Sequence, residues 1–340
     1  MTAKAPTLED VAREAGVSTA SVSRYLNMPE LVRPQRREKI EAAIAALGYV
    51  PHGAARALAS QRTRTIGAVI PTLDNAIFAR GVQAFQHRLH SDNFTLLLAS
   101  FDYDLEEEVR HVDALLTRGV DALLLVGCLH TPKLYERLDK MELPYVHTWA
   151  FDRSGAKPCV GFDNRLAAKR AASYLIDIGH QAIALVVGIT EGNDRATERA
   201  LGVREALEER GLALLPEYYL EKAYDVAEGR SAMRQLLTQD VPPTAVICGN
   251  DVLALGALLE CQSRGVPVPG EISITGFDDL PLTSHLQPSL TTLHVPAGEM
   301  GRRAAEYLLA RLSDVPMPDS TELEVGLLVR GTTAPPSRRK

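Results

Sequence analysis

The sequence predicts an all-α helix-turn-helix headpiece at the N-terminus, followed by an α/β body of two parallel-sheet lobes. Two observations support this fold class. Two short helical patterns flank a glycine within the first 50 residues, and apolar strand-like runs alternate with helical stretches after Arg64. Such alternation is typical of parallel sheets covered by helices.

The first helix is predicted to begin after Thr7 and to run for about nine residues. Thr7 and Asp10 have the S/T-x-x-D/E spacing of a helix start. Gly16 lacks a Cβ atom and can adopt the positive φ that ends a helix. The apolar residues recur at helical spacing, namely Leu8, Val11, Ala12 and Ala15.

Ser18 can cap a second helix, which turns Val17, Val22 and Leu26 inward. The residues left outside are small, polar or cationic. They are Thr19, Ala20, Ser21, Ser23 and Arg24. Because such side chains can approach base edges and phosphates closely, the pattern favours a recognition helix in the major groove of DNA. An ordinary helical hairpin with a polar outer face is the alternative.

A third helix is predicted from Pro34 to Gly48, because proline suits the first helical position and glycine the end. Arg33 is a poor cap, but with Arg36 and Arg37 it can contact phosphate. After Pro51, an Ala-rich hinge is predicted from residue 52 to 60. At about nine residues it is too short to be stable as an isolated helix, so we expect it to order only on DNA.

The body is predicted to contain buried strands and amphipathic helices in alternation. The strand-like runs are residues 65–70, 95–99, 121–126, 182–187, 244–248 and 272–277. The helical stretches are residues 77–91, 105–118, 132–141, 164–178, 196–210, 226–238, 251–264 and 297–312. Because this is more chain than one sheet usually holds, two lobes facing across a cleft are expected.

Ligands of open parallel sheets bind beyond the carboxyl ends of the strands, so residues after each run are candidates. The candidates are Pro71, Thr72, Asp74, Phe78, Trp149, Asp163, Arg199, Asn250 and Asp278. Asn and Asp bind vicinal hydroxyls, Arg offers a fork for hydroxyl or carboxylate, and an aromatic face covers a sugar ring. The alternatives are helix capping by Asn250–Asp251, a turn at Asp278, and a core position for Trp149.

The composition limits the function classes. No uncharged apolar stretch of 18 residues occurs, and no apolar segment follows the N-terminal methionine, so a cytoplasmic protein without membrane spans is expected. The four cysteines lack C-x-x-C spacing, and His87 and His90 fit a helix surface, so neither a metal nor another cofactor is predicted. Residues 1–64 carry ten Lys and Arg against six Asp and Glu, whereas the remainder carries 27 against 37. A basic head on an acidic body suits a head that meets phosphates.

No motif for catalysis is present. The chain lacks G-x-G-x-x-G after a strand, G-x-x-x-x-G-K-[ST], G-x-S-x-G and H-E-x-x-H. An enzyme is therefore not predicted.

Residues 10–27, D-V-A-x-x-A-G-V-S-x-x-S-V-S-R-x-L-N, resemble the headpiece of the LacI/GalR family of bacterial repressors. Residues 38–60 resemble the family's third helix and hinge helix, and the rest resembles its effector domain to about residue 333. The resemblance implies a periplasmic-binding-protein-like body with crossovers near 161, 291 and 323. The implied domains are a headpiece at 1–50, a hinge at 51–62, a first lobe at 63–161 with 291–322, a second lobe at 162–290 with 323–333, and a disordered tail at 334–340.

The resemblance also implies site residues. Those facing operator DNA are Thr7, Ser18, Thr19, Ala20, Ser21, Ser23, Arg24, Asn27, Arg37, His52, Ala55, Arg56 and Leu58. Leu58 is the implied wedge into the minor groove, and packing on the partner's hinge is compatible with that role. Arg199, Asn250 and Asp278 match the family's principal effector contacts.

The implied function is a repressor of carbohydrate or sugar-acid metabolism genes, acting at the nucleoid. It binds a pseudo-palindromic operator as a homodimer, or as a tetramer, and its affinity is controlled by the effector. Segments 71–79, 160–164 and 260–265 resemble the gluconate-repressor branch, so the expected effector is a sugar or sugar acid. The alternative is a sugar-binding protein for transport, which the missing signal peptide and the added headpiece disfavour.

Overall fold

The structure is a computed structural model that describes residues 6–50 and 62–337, apart from the side chain of Asn27. It divides into two compact units, Met1–Arg64 and Thr65–Lys340. The predicted DNA contacts of the Asn27 side chain and of His52, Ala55, Arg56 and Leu58 lie outside the described residues.

The headpiece is three helices with a short 3₁₀ turn. The helices are α1 (Leu8–Glu14), α2 (Thr19–Asn27) and α3 (Pro34–Leu47), and the turn is Pro29–Leu31. Helix α1 has seven residues instead of the nine predicted. Gly16 and Gly48 adopt positive φ angles of 62° and 61°, as expected where the chain leaves a helix. The buried apolar residues are Val11, Ala12, Ala15, Val22, Val32, Ile40, Ala43 and Tyr49.

The body contains two six-stranded sheets, which confirms the predicted pair of α/β lobes. The first sheet has the order β11-β5-β4-β3-β1-β2, and the second has the order β12-β10-β9-β8-β6-β7. All pairings are parallel except that of β12 with β10. The strands are β1 (Thr65–Ile70), β2 (Thr95–Ser100), β3 (Ala122–Val126), β4 (Tyr145–Thr148), β5 (Cys159–Gly161), β6 (Ile183–Gly188), β7 (Tyr219–Lys222), β8 (Ala245–Cys248), β9 (Ser273–Asp278), β10 (Thr291–His294), β11 (Ser320–Glu322) and β12 (Gly326–Leu328).

Each predicted helical stretch of the body forms a helix whose ends lie within two residues of the prediction. The helices are α4 (Ala76–His90), α5 (Leu105–Thr117), α6 (Pro132–Lys140), α7 (Asn164–Asp177), α8 (Asp194–Glu208), α9 (Val226–Leu237), α10 (Asp251–Arg264) and α11 (Ala297–Leu312). Among the described residues, none of the helices is both long and apolar enough to cross a membrane.

The strands differ from the prediction in number and at one lobe boundary. Strands β7, β10, β11 and β12 were not predicted. Strand β10 pairs with β9 and therefore belongs to the second lobe, so the chain returns to the first lobe after His294, slightly later than the predicted boundary at residue 291. Helix α11 then packs on α4, and β11 completes the first sheet.

Helices α4 and α11 pack closely because each contributes a glycine to their interface. A Cβ atom on Gly301 would collide with the carbonyl oxygen of Gly81, and one on Gly81 would collide with the indole ring of Trp149. The first lobe therefore depends on two positions at which any side chain is too large.

We expect Gly301→Ala to lower the free energy of unfolding of the body by about 1–3 kcal/mol, because the added methyl group overpacks the interface. Gly298→Ala is the matched control on the same helix, since nothing lies within 4 Å of a Cβ atom there. That control should be neutral or stabilising by about 0.5–1 kcal/mol. Urea unfolding followed by circular dichroism measures both, and equal midpoints for the two variants would contradict the close packing.

Candidate DNA-binding surface and effector cleft

The second helix of the headpiece presents the predicted face. The Ser18 hydroxyl accepts a hydrogen bond from the Ser21 N–H at 3.2 Å and caps α2. Thr19, Ala20 and Arg24 are exposed, whereas Val22 is fully buried. Ser21 and Ser23 are half-buried at the edges of this face. The exposed side chains are short near the start of the helix, which allows close approach to base edges.

Two of the predicted DNA contacts also have roles within the headpiece. Thr7 and Asp10 form a capping box, in which the Thr7 N–H and hydroxyl donate to Asp10 Oδ2 at 2.9 and 2.7 Å. Arg37 Nη2 donates to the Pro29 carbonyl at 2.7 Å and ties α3 to the 3₁₀ turn. Changes at either residue would therefore alter the headpiece as well as any contact with phosphate.

Arg199 lies on α8 of the second lobe, where three neighbouring groups hold its side chain. Its Nε donates to Asn164 Oδ1 at 2.8 Å, and its Nη1 donates to the Gly249 carbonyl at 2.5 Å. The guanidinium group stacks on Phe277, 3.7 Å from the ring centroid. The side chain is thus held in one position by groups from three elements, although it is almost fully buried.

Asp278 ends strand β9 beside Arg199, and it is 2% exposed. Its Oδ2 atom has no hydrogen-bond partner among the described residues. Burial raises the pKa of this carboxyl group well above its ordinary value, and the nearby Arg199 opposes the shift. A buried acceptor without a partner is costly, and a ligand hydroxyl would satisfy it.

Asn250 serves both as a cap and as a cleft residue. Its Oδ1 accepts from the Leu253 N–H at 2.9 Å, which confirms the capping alternative. Its Nδ2 is buried and has no partner within the described part of the chain. The amide therefore offers an unpaired donor after β8, and Asp278 offers an unpaired acceptor at the end of the neighbouring strand β9. Binding of a polyhydroxylated ligand uses both kinds of group.

Asp251 positions the loop that follows Asp278. Its carboxylate accepts from the Leu280 N–H at 2.8 Å and from the Thr292 hydroxyl at 2.6 Å. Burial raises its pKa to about 6. Asn250 is the cap of α10, and Asp251 instead joins β9 and β10 through tertiary contacts.

Trp149 belongs to the first lobe and is connected to Arg199 through one residue. Its carbonyl accepts from Asn164 Nδ2 at 2.8 Å, while Asn164 Oδ1 accepts from Arg199. The ring makes an edge contact with Phe78, with centroids 5.2 Å apart. Trp149 is 2% exposed, which agrees with the alternative of a core position. Its Nε1 atom nevertheless has no hydrogen-bond partner among the described residues.

Three other predicted effector contacts have different neighbours. Asp163 caps α7, and its carboxylate accepts a hydrogen bond from Arg153 Nε at 2.7 Å. Asp163 and Arg195 both line a cavity of about 750 Å³. The Thr72 hydroxyl accepts from the N–H of Asp74 at 3.1 Å, and Asp74 is exposed. Their roles in effector binding stay predictions.

Two tyrosines that the sequence analysis missed face each other across the cleft. The rings of Tyr103 in the first lobe and Tyr224 in the second have centroids 6.2 Å apart. Burial raises the pKa of Tyr103, and Arg195, Arg199 and Asp278 all lie close enough to influence it. Tyr103 follows β2, so the strand-end rule could have found it. Tyr224 follows β7, which was not predicted.

Comparison with known proteins matches both units. Residues 7–52 match the bacterial regulatory proteins of the lacI family, and residues 172–333 match the periplasmic binding protein-like domain. Catabolite control protein A of Priestia megaterium is 34% identical over 302 residues, which cover 89% of this chain and 91% of that protein. The chain belongs to the LacI family. The HTH-type transcriptional repressor CytR of Escherichia coli is 32% identical over 330 residues, covering 97% of this chain and 96% of that protein.

Solved structures agree with this assignment. The lac repressor dimer bound to operator and the anti-inducer ONPF matches with a TM-score of 0.87 and 27% identity, covering 97% of this chain and all of that chain. The CelR–cellobiose complex matches with a TM-score of 0.70 and 30% identity, covering 96% and 99%. The protein is therefore a DNA-binding transcriptional regulator and not an enzyme. The similarity to the gluconate-repressor branch stays a prediction.

We expect substitutions of Thr19 and Ala20 to change which bases the headpiece prefers, because both are exposed at the start of α2. Arg36→Ala on α3 should instead weaken binding to all sequences alike, since an exposed arginine that meets phosphate carries no base information. Selection from randomised DNA with each variant measures the base profile. Profiles of the Thr19 and Ala20 variants that match the wild type would show that another face reads DNA.

Proposed function

We propose that this LacI-family regulator is a repressor that binds a pseudo-palindromic operator as a homodimer and is controlled by a sugar or sugar acid in the cleft. The observation that carries the proposal is the pair of buried, unpartnered polar atoms, Asn250 Nδ2 and Asp278 Oδ2, beside Arg199. A hydroxyl group can accept from the amide and donate to the carboxylate at once. Ligands with several neighbouring hydroxyls fit this arrangement.

The similar proteins support the same function. Two of the relatives are named as repressors, CytR and PurR, and the lac repressor structure contains a dimer on operator DNA. The CelR complex contains cellobiose, a neutral sugar. A regulator of this kind acts on the chromosome, so we place it in the cytoplasm at the nucleoid.

A sugar-binding protein for transport would share the two lobes, but it would have no use for the headpiece. Residues 7–52 match a family of regulators, and α2 presents a face of small and cationic side chains. The regulator is therefore the better explanation of the whole chain.

Control by effector requires that the ligand bind two states of the protein unequally. The chain Trp149–Asn164–Arg199 connects the first lobe to the base of the cleft. A ligand on Arg199 and Asp278 would therefore bias the arrangement of the lobes, and operator and effector would alter each other's affinity by the same factor.

We expect operator binding to be salt-dependent and to require two headpieces. If Z phosphates are neutralised, log K should fall with log salt at a slope of about −0.9Z. Selection from randomised DNA should return near-palindromes, and filter binding over a salt series gives the slope. Sites without two-fold symmetry together with an affinity that salt does not change would refute DNA recognition of this kind.

We expect Asp278→Asn to weaken effector binding at least about tenfold, since the amide can place an N–H group where the unpaired Oδ2 stood, and a mispaired buried polar group costs about 1–3 kcal/mol. A thermal-shift screen of neutral sugars and sugar acids first finds the ligand that raises the unfolding midpoint. Calorimetry with that compound then compares Asp278→Asn with Asp240→Asn, an exposed aspartate of the same lobe. Operator affinity without effector should stay unchanged in both. Normal effector affinity in Asp278→Asn would show that the ligand binds elsewhere.

A further inference from the structure

The end of β3 and the loop that leads to α6 are hydrogen-bonded to the opposite lobe. Asp194, the first residue of α8 in the second lobe, accepts from the N–H groups of Cys128 and Leu129 at 2.6 and 3.2 Å. The next residue, Arg195, donates from Nη1 to the carbonyl of Val126 at 3.2 Å. Two adjacent side chains of one lobe therefore bind backbone groups of three residues of the other, Val126, Cys128 and Leu129.

The first lobe holds the same loop from its own side. The N–H of Gly127 donates to the Thr148 carbonyl at 2.8 Å. The Tyr135 hydroxyl donates to the Cys128 carbonyl at 3.2 Å, and a ring nitrogen of His130 lies 3.2 Å from the Gly127 carbonyl. The loop is thus held on the first lobe by its own contacts, while the N–H groups of Cys128 and Leu129 are directed at the second lobe.

The side chains of Asp194 and Arg195 on α8 also bind each other. Asp194 and Arg195 form an ion pair at 2.9 Å, and the Arg195 side chain is 7% exposed. Burial acts to raise the pKa of Asp194, but Arg195 and the N–H of Cys128 outweigh it, so the pKa lies below its ordinary value. Asp194 is therefore a carboxylate that accepts charge-assisted hydrogen bonds, which are stronger than neutral ones.

Gly127 makes room for this contact. It has a φ of +89°, and a Cβ atom there would collide with the guanidinium of Arg195 and lie 2.7 Å from the Asp194 carboxylate. Only glycine both adopts this backbone conformation readily and leaves space for the two side chains.

We propose that Asp194 and Arg195 form an inter-lobe latch, which holds the two lobes of the body closed on each other. The latch sets the balance between closed and open arrangements that effector and operator then act on. It recognises backbone groups of the first lobe and is independent of which effector the cleft takes.

The latch predicts that its loss affects a second inter-lobe contact. Tyr103 of the first lobe contacts Tyr224 of the second, and its carbonyl lies close to Gly192. If the latch holds the lobes together, removing it should expose the segment around Tyr103 as well as the loop at Cys128. If it only orders the loop, the Tyr103 segment should not change.

Hydrogen–deuterium exchange of the full-length protein without effector tests the proposal. Asp194→Ala should accelerate exchange at least about tenfold, equivalent to about 1.4 kcal/mol, in peptides covering 127–131 and in peptides covering 100–105. Glu198→Ala is the matched control. This substitution also removes one negative charge, one turn further along α8. Glu198 lines the same cavity as Asp194, but its carboxylate binds Arg165 within the second lobe. The control should leave both segments as in the wild type.

If Asp194→Ala also accelerates exchange in the core strands β1 and β6, the substitution has destabilised the whole body. The milder variant Asp194→Asn is then used instead. It keeps an oxygen acceptor and loses the charge, so we expect smaller accelerations in the same two segments with the core strands unchanged. Acceleration at 127–131 alone, no acceleration in either segment, or equal acceleration in Glu198→Ala would overturn the latch.

Discussion

The buried guanidinium of Arg199 is the group on which the organisation of the cleft depends. A buried charge is tolerated only when hydrogen bonds and a counter-charge replace water. Asn164, the Gly249 carbonyl and the Phe277 ring supply the contacts, and the carboxyl group of Asp278 lies near enough for a favourable electrostatic interaction. These groups come from α7 and from the ends of β8 and β9. The hydrogen bonds and ring contact of one arginine therefore bring three separate parts of the second lobe together.

The same requirement explains why the surrounding residues are so firmly placed. Asp278 can stay beside Arg199 only if the loop after β9 is fixed, and Asp251 fixes it through Leu280 and Thr292. Asn164 is held by Arg199 on one side and by the Trp149 carbonyl on the other, which extends the network into the first lobe. The unpartnered atoms of Asn250 and Asp278 are therefore preorganised, and a ligand pays little to order them.

The sequence predicted what local patterns encode. The body helices were predicted because their apolar residues recur at helical spacing, and the strand-end rule pointed to Asn250 and Asp278. Arg199 lies inside α8, and the family resemblance pointed to it. Strand β7 was not predicted because it is a short edge strand with half-buried and exposed residues instead of an apolar run. The contact of Asp194 with Cys128 joins residues 66 positions apart. No local pattern records such a contact, since only the assembled lobes create it.

Effector recognition and lobe closure use different kinds of contact. The proposed effector site presents side-chain atoms of Asn250 and Asp278, so a change of side chain there would change which ligand fits. The contact at the β3–α6 loop uses the backbone N–H groups of Cys128 and Leu129, which every residue except proline provides. Side chains at 128 and 129 can therefore vary without loss of that contact, while Gly127 cannot. Closure of the lobes and choice of effector are in this way separable, and selection can adjust one without disturbing the other.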